Sequence, residues 1–331
     1  MPVRHPYPLA NVKSILLLTH RQDHYTIDRV TEHLRAAGAH PFRLNTVRFP
    51  EAIRLSHYAL PSGNAVMVHT ETDHFSTREI DAVWHRKIWS PSFDEPLAAP
   101  YHAAAINESV ALRTALFHHL ESTPWLDPIH AVRRASDKYL QLVVAQGQGW
   151  KIPATLISNH AEEVRHFFEQ LPGEMVAKLH NPLSYGMQSD AFFFYTTLIQ
   201  AADLDELEQL QVCPMIFQER IPKAYELRVA YVDGQCFAGK LATQDLMDWR
   251  LADPNEVPWE AAELPGAQQQ LLHRTMRQLN LSFGAVDLIV QPDGEYVFLE
   301  VNPVGEWGML EKELDLPIAR AIAEGLLQRI P

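Results

Sequence analysis

The chain has 331 residues, 47% hydrophobic and 21% charged, the profile of a globular protein with core enough for two or three domains. Its formal net charge of -13 excludes a nucleic-acid partner gripped by a basic surface. Two cysteines, Cys213 and Cys236, in neither CxxC nor zinc spacing, exclude a disulfide framework and point to a reducing, cytoplasmic setting.

The apolar run 15–18 is too short for a signal segment or a membrane span and reads as a buried first strand, over 13–19. Residues 26–37 follow as a helix stopped at Gly38. Short strands fit 41–44, 65–69 and 80–84, with turns at Gly63-Asn64 and Thr72-Asp73, and 101–121 reads as a long helix. This alternation predicts an open α/β sheet. The stretch WHRKIWSPSF, 84–93, crowds Arg86, Lys87 and two tryptophans at a strand end, where open α/β sheets bind ligands. It equally suits an aromatic surface cluster packed between domains. The seventeen histidines form no HExxH or similar spacing.

Residues 124–128 read as a linker. A helix capped by Ser136, with Asp137 and Lys138 in its first turn, ends near Gly147 and Gly149. A strand starts at Ala154, a helix spans 162–170, and a strand over 174–179 carries Lys178. The polar loop 180–190, with Gly186, could lie over phosphates, although neither GxxxxGK[ST] nor GxGxxG occurs in the chain. Strands at 192–196 and 213–220 flank a helix at 204–210. The next hairpin turns at Asp233-Gly234 and puts Glu226 and Arg228 on one face, Leu227, Val229 and Tyr231 on the other. Asp248-Trp249-Arg250 falls in a Pro-rich irregular segment. A helix at 268–279 precedes a second hairpin, and 316–330 closes the chain as an amphipathic helix.

The chemistry is most legible in that second hairpin, 283–302, which turns at Asp293-Gly294. With an even loop, position 287 pairs with 300. Val286, Leu288, Val290, Val297, Leu299 and Val301 then share one face, and Asp287, Glu300 and Asn302 the other. An odd loop with a bulge at Gly294 would mix the faces, so the apolar sorting favours the even one. Two carboxylates and an amide oxygen on adjacent strands are hard ligands suited to Mg²⁺. A solvated sheet face is the alternative. Against it, the carboxylates are flanked by long apolar residues, and a buried pair of like charges is costly without a cation between them.

Taken in order, Asp137-Lys138, Lys178, Gln218-Glu219-x-Ile221, Glu226-x-Arg228, Asp248-Trp249-Arg250, Asp287 and Glu300-x-Asn302 resemble the ATP-grasp superfamily. Within it, VWHRKIW, FQERIPKAYELRV, DWR and LEVNPVGEWGMLE look most like the microviridin-type peptide maturases, the graspetide synthetases. The resemblance runs over nearly the whole chain. It implies an α/β (α+β) ATP-grasp fold: an N-terminal open α/β domain over 1–123, a central subdomain over 129–215 and a C-terminal subdomain over 216–331, with ATP between the last two. It implies that Lys138 and Lys178 contact ATP phosphates, that Glu219 and the Ile221 backbone hold adenine, and that Gln218 belongs to the same ATP-binding set. Glu226 would reach the ribose, Arg250 the phosphates, and Arg228 the phosphates or an acyl-phosphate. Asp287, Glu300 and Asn302 would hold Mg²⁺. Arg228, Arg250 and Lys178 are the catalytic expectation. Two departures bear on substrate choice: His85-Arg86-Lys87 stands where the family usually has Tyr-Arg-Arg, and Gly305-Glu306-Trp307 where it has Gly-Gln-Trp.

The expected activity is ATP-dependent macrocyclisation of a ribosomally made precursor peptide. Asp or Glu side chains become acyl-phosphates and are joined to Thr/Ser hydroxyls or Lys amines. The expected partner is that leader–core peptide, with no nucleic acid and no membrane, and a homodimer is allowed. Two rivals remain. One is an ATP-grasp ligase adding an amino acid such as glutamate, separated by a leader-peptide requirement. The other is a nucleotide-binding regulatory module without turnover, separated by ADP release.

Overall fold

The computed structural model describes residues 12–93, 97–180, 196–242 and 257–331. Two compact units emerge: Met1–Val132 with Glu306–Glu311 and Asp315–Pro331, and Arg133–Gly305 with Lys312–Leu314.

The strands of the first unit are Ser14–Thr19 (β1), His40–Asn45 (β2), Arg54–Leu60 (β3), Gly63–His69 (β4), His74–Ser76 (β5), Ala82–His85 (β6) and Trp125–Leu126 (β7). A parallel sheet runs β2-β1-β6-β7, and β3-β4-β5 form a separate antiparallel sheet. Strand β1, SILLLT, is buried at every position and shows no alternation, as expected of an inner parallel strand covered on both faces. The helix Tyr25–Ala36 crosses over to β2, burying Ile27, Val30 and Leu34 at helical spacing. It stops at Gly38, whose φ of +79° the missing Cβ permits. The last helix, Ile318–Gln328, packs against this helix and against β6 and β7.

One expectation is corrected here, and one strand is new. Residues 124–128 are not a linker: Trp125 and Leu126 are buried and pair in parallel with Val83 and Trp84. Flanking prolines disguise the strand, which is only two residues long. Strand β3 was not expected at all, because its half-exposed RLSHYAL pattern carries no burial signal.

In the second unit, Thr155–Ser158 (β8), Met175–Lys178 (β9), Thr197–Ile199 (β10) and Met215–Glu219 (β11) form an antiparallel sheet in the order β10-β9-β11-β8. Tyr225–Val232 (β12), Gln235–Leu241 (β13), Glu260–Ala262 (β14), Phe283–Val290 (β15) and Tyr296–Asn302 (β16) form another, in the order β14-β13-β12-β15-β16. The helices Lys138–Gln148 and Gly266–Leu279 share a core with the latter sheet, centred on Leu272, Met276, Val286, Leu288 and Phe298. The cap of the first of these helices is Asp137 rather than Ser136: its carboxylate accepts from the Leu140 N–H at 3.1 Å, so Lys138 is the first helical residue.

The register of β15 and β16 keeps the expected pairing of Asp287 with Glu300 but reaches it differently. Their connection is the odd loop 291–295, so near the turn Leu288 faces Phe298 and Val290 faces Tyr296. A register shift beside Asp287, with Leu299 as the extra residue, restores the 287–300 pair. The six Val and Leu residues therefore do not share a face. Val286, Leu288, Val290 and Val301 join the main core, while Val297 and Leu299 cluster with Ile289 and Ile221.

Candidate active site

A charged row crosses three strands of the second unit. Arg228 on β12 is the cross-strand partner of Asp287 on β15, which is the partner of Glu300 on β16. Arg228 Nη1 donates to both Asp287 carboxylate oxygens at 2.7 Å. Lys138 Nζ lies 2.7 Å from Glu300 Oε2. Two adjacent carboxylates are thus each held by a protein cation on the outer side. That arrangement supplies the charge compensation which an opposed acidic pair needs. Burial works to raise the Glu300 pKa, but Lys138, then Lys178 and Arg228, outweigh it and bring the carboxyl down to about 2.

Gln141, one turn along from Lys138, sets this geometry. Its amide nitrogen donates to Val301 O at 2.8 Å, and its amide oxygen accepts from Val301 N at 3.0 Å. Strand β16 is the edge of its sheet, so Gln141 satisfies edge backbone groups that would otherwise be buried and unpaired. The same bonds fix the helix start beside Glu300.

The other expected residues lie as follows. Lys178 ends β9, half-buried, and its charge is felt at Glu300. Gln218 is buried on β11 and donates to Thr155 Oγ1 at 2.9 Å. The Glu219 carboxylate accepts from Ala154 N at 3.1 Å. Ile221 is buried against Ile289, Val297 and Leu299, a small apolar cluster contiguous with the charged row along β15 and β16. Glu226, two residues before Arg228, is ion-paired with Lys223. Arg250, with Asp248 and Trp249, lies outside the described residues, as do the loop read at 180–190 from residue 181 on and the strand read at 192–196 up to 195. Two members of this site escaped the sequence reading. They are Gln141 and His180, whose pKa is lowered by burial and by the neighbouring Lys138.

The donor set fits a hard divalent cation. Asp287 and Glu300 supply carboxylate oxygens, and Asn302 follows two residues beyond Glu300 on the same strand. Among the described residues no group of three or more His, Cys, Asp or Glu side chains converges, which leaves an amide to complete the set. Gly305 presses its backbone onto that amide residue: a Cβ there would overlap Ala285 Cβ and stand 2.8 Å from Asn302 Cβ.

The first unit carries a separate charged cluster at the C-terminal ends of its parallel strands. Arg86, just past β6 and 1% exposed, lies 3.3 Å from Asp23 Oδ2 and donates to Thr26 Oγ1 at 3.1 Å. Its Nη2 reaches Glu306 Oε2 at 2.5 Å, while Lys87 Nζ reaches Glu306 Oε1 at 2.8 Å. The two departures noted in the sequence therefore meet in space. Burial works to raise Glu306, but Arg86 and Lys87 outweigh it and hold the carboxyl below its ordinary value. His20 stacks on Trp89 at 3.8 Å, and burial pushes its pKa down to about 4.

Residues 14–133 match the family model described as the MvdD pre-ATP grasp domain. The chain is similar to the macrocyclase MdnB of Microcystis aeruginosa MRC, with 38% identity and a TM-score of 0.82 over 95% of this chain and 99% of that one. It is similar to the macrocyclase MdnC of the same organism, solved with precursor peptide MdnA, with 33% identity and a TM-score of 0.84 over 95% and 99%. A Chryseobacterium gregarium RiPP-associated ATP-grasp ligase, solved with ADP and a leader and core peptide, gives 30% identity and a TM-score of 0.86 over 97% and 98%. No curated protein sequence matches the chain.

Proposed function

Because this chain belongs to the ATP-grasp graspetide synthetases and has their α/β fold, we propose that it closes rings in a ribosomally made precursor peptide. In this reading Asp or Glu side chains are activated by ATP and joined to Thr/Ser hydroxyls or Lys amines. The observation that carries it is the row Arg228, Asp287, Glu300 and Lys138: two hard anionic ligands flanked by two cations on rigid elements.

A carboxylate is a poor electrophile at neutral pH. Its oxygen attacks the γ-phosphorus of ATP, the bond to the β-phosphate oxygen breaks, and ADP leaves with that electron pair. The hydroxyl or amine of the same peptide then attacks the acyl carbon, and phosphate departs as the ester or amide forms. Phosphoryl transfer asks the protein for positioning and charge neutralisation rather than covalent help. Lys138, Lys178, Arg228 and Arg250 are assigned to the phosphate oxygens, where negative charge gathers in the transition state. Gln218, Glu219 and the Ile221 backbone take the adenine, beside the apolar cluster of Ile289 and Leu299, and Glu226 the ribose. Asp287, Glu300 and Asn302 would hold Mg²⁺, which when bound supplies charge neutralisation and alignment of the phosphates.

The test is mass spectrometry of a precursor peptide incubated with the enzyme, ATP and Mg²⁺. Each ring removes one water, with one ADP and one phosphate released. A gain of an amino-acid mass, or ATP left unspent, overturns the reading.

A further inference from the structure

We propose that Arg86 and Lys87 form a binding subsite for a side-chain carboxylate of the peptide substrate, and that Glu306 is its built-in occupant. The inference deepens the macrocyclase reading and rests on it for the source of the carboxylate.

The geometry is that of a carboxylate receptor already filled. The two Glu306 oxygens are divided between two cations, Oε2 to Arg86 at 2.5 Å and Oε1 to Lys87 at 2.8 Å. Arg86 is anchored from behind by Asp23 and Thr26, and the backbone N–H groups of residues 86 and 87 both donate to Leu18 O, at 3.1 and 3.0 Å. The receptor is therefore rigid, built at the C-terminal edge of a parallel sheet, where such folds hold ligands. Asp23 itself is locked by Thr19 Oγ1 at 2.8 Å and by Thr26, so it is not the group that exchanges.

The occupant is the exposed member. Glu306 is 48% exposed and Lys87 19%, against 1% for Arg86 and 5% for Asp23. A carboxylate that takes the place of Glu306 leaves both cations paired, so the exchange is near-balanced, whereas Arg86 keeps Asp23 throughout. With Glu306 swung out, Asp23 and Arg86 cancel and Lys87 stands as net positive charge. That local cation is needed, since the whole chain at -13 repels an acidic peptide. His20 and Trp89, stacked at 3.8 Å with an interplanar angle of 10°, stand beside the cluster, His20 feeling the charges of Asp23, Lys87, Arg86 and Glu306.

The experiment titrates the full-length protein, without ATP, with a synthetic peptide of alternating Glu and Thr and with its Gln–Thr counterpart, by calorimetry. Removing the internal competitor in Glu306→Gln should tighten the Glu peptide about tenfold and leave the Gln peptide unchanged. Lys87→Gln, which keeps the Arg86–Asp23 anchor, should erase the preference for Glu over Gln. The proposal is overturned if Glu306→Gln leaves affinity for the Glu peptide unchanged. It is equally overturned if Lys87→Gln weakens both peptides alike, if neither peptide binds any of the proteins, or if the variants alter only the melting temperature. Ring formation is assayed separately with Mg²⁺ and ATP. No preference for the Glu peptide over the Gln peptide in the parent protein, with rings still formed, removes this subsite alone, and tighter Glu-peptide binding with ATP never spent removes the macrocyclase reading alone.

Discussion

Asp287 and Glu300 stand directly opposite each other on adjacent antiparallel strands, and each is held by a cation on its outer side, Arg228 for one and Lys138 for the other. Like charges at cross-strand distance repel, and the two protein cations offset that repulsion. Asp287→Asn and Glu300→Gln each remove a hard anionic ligand. Turnover, read as ADP release in the presence of peptide, should fall by about 10²-fold or more, while far-UV circular dichroism stays that of the parent. Parent-like turnover in either variant sinks the metal assignment.

The second expectation concerns Gln141, which holds both backbone polar groups of Val301. Gln141→Ala leaves a buried N–H and C=O unpaired and should cost about 2–3 kcal/mol in denaturant unfolding. Lys138 should then lose its fixed position against Glu300, so KM for ATP rises as well. A variant as stable as the parent would mean that water replaces the amide and that the clamp does not position the helix.

The pairing of Asp287 with Glu300 was legible as an outcome, although the apolar sorting that favoured it does not hold. The route to it was not, since a five-residue loop compensated by a shift at Leu299 leaves the same pair opposed. Hence Val297 and Leu299 were placed on the wrong face. Local signals put Lys138 in the first turn of its helix but chose Ser136 as the cap and so took in Asp137 as well, because Ser, Asp and Asn are near-equal cap candidates. Gln141 carried no signal: a glutamine on a helix reads as surface until an unsatisfied strand edge lies against it. The meeting of Lys87 with Glu306, more than two hundred residues apart, is long-range and has no local signature at all.

Acid should expose His20. Burial, the largest influence, lowers its pKa from 6.5 to about 4, and its Nδ1 accepts from Gln22 N at 3.3 Å, a bond that a proton there would break. The folded-state pKa is depressed, so between pH 6.5 and 4 the unfolded chain binds the extra proton. Its stabilising contribution is complete above pH 6.5 and falls by about 1.4 kcal/mol per unit as pH drops through that window. Urea unfolding at pH 7.5 and pH 5 measures it. His20→Phe, which keeps a ring against Trp89, should flatten the difference, and an unchanged pH dependence in that variant refutes the assignment.

Lys178 and Lys138 reach Glu300 from different elements, a strand end and a helix start. If both serve phosphate oxygens, Lys178→Ala should weaken ATP binding by about 2–5 kcal/mol, the range for removing one partner of a buried charge pair. Equilibrium binding of ATP with Mg²⁺ measures this without peptide. Unchanged affinity would make Lys178 a solvated strand end.

The final expectation concerns the intermediate. A direct route through an acyl-phosphate needs no nucleophile from the enzyme, and the thiols offer none. Burial pushes Cys236 up to about 11, well above neutral pH, and Cys213 sits exposed just before β11 rather than in the site. No GxSxG elbow occurs in the chain either. The activated carbonyl must therefore sit on the peptide. Hydroxylamine added during turnover competes with the peptide hydroxyl or amine for that carbon, expels phosphate and leaves a hydroxamate on an Asp or Glu side chain. Tandem mass spectrometry should find this hydroxamate on the peptide, with fewer rings as hydroxylamine rises, while ADP release continues. A hydroxamate on the enzyme instead would show that an enzyme carboxylate, and not the peptide's, is the group activated. If ring closure is insensitive to hydroxylamine and no adduct forms on either partner, the free acyl-phosphate is ruled out.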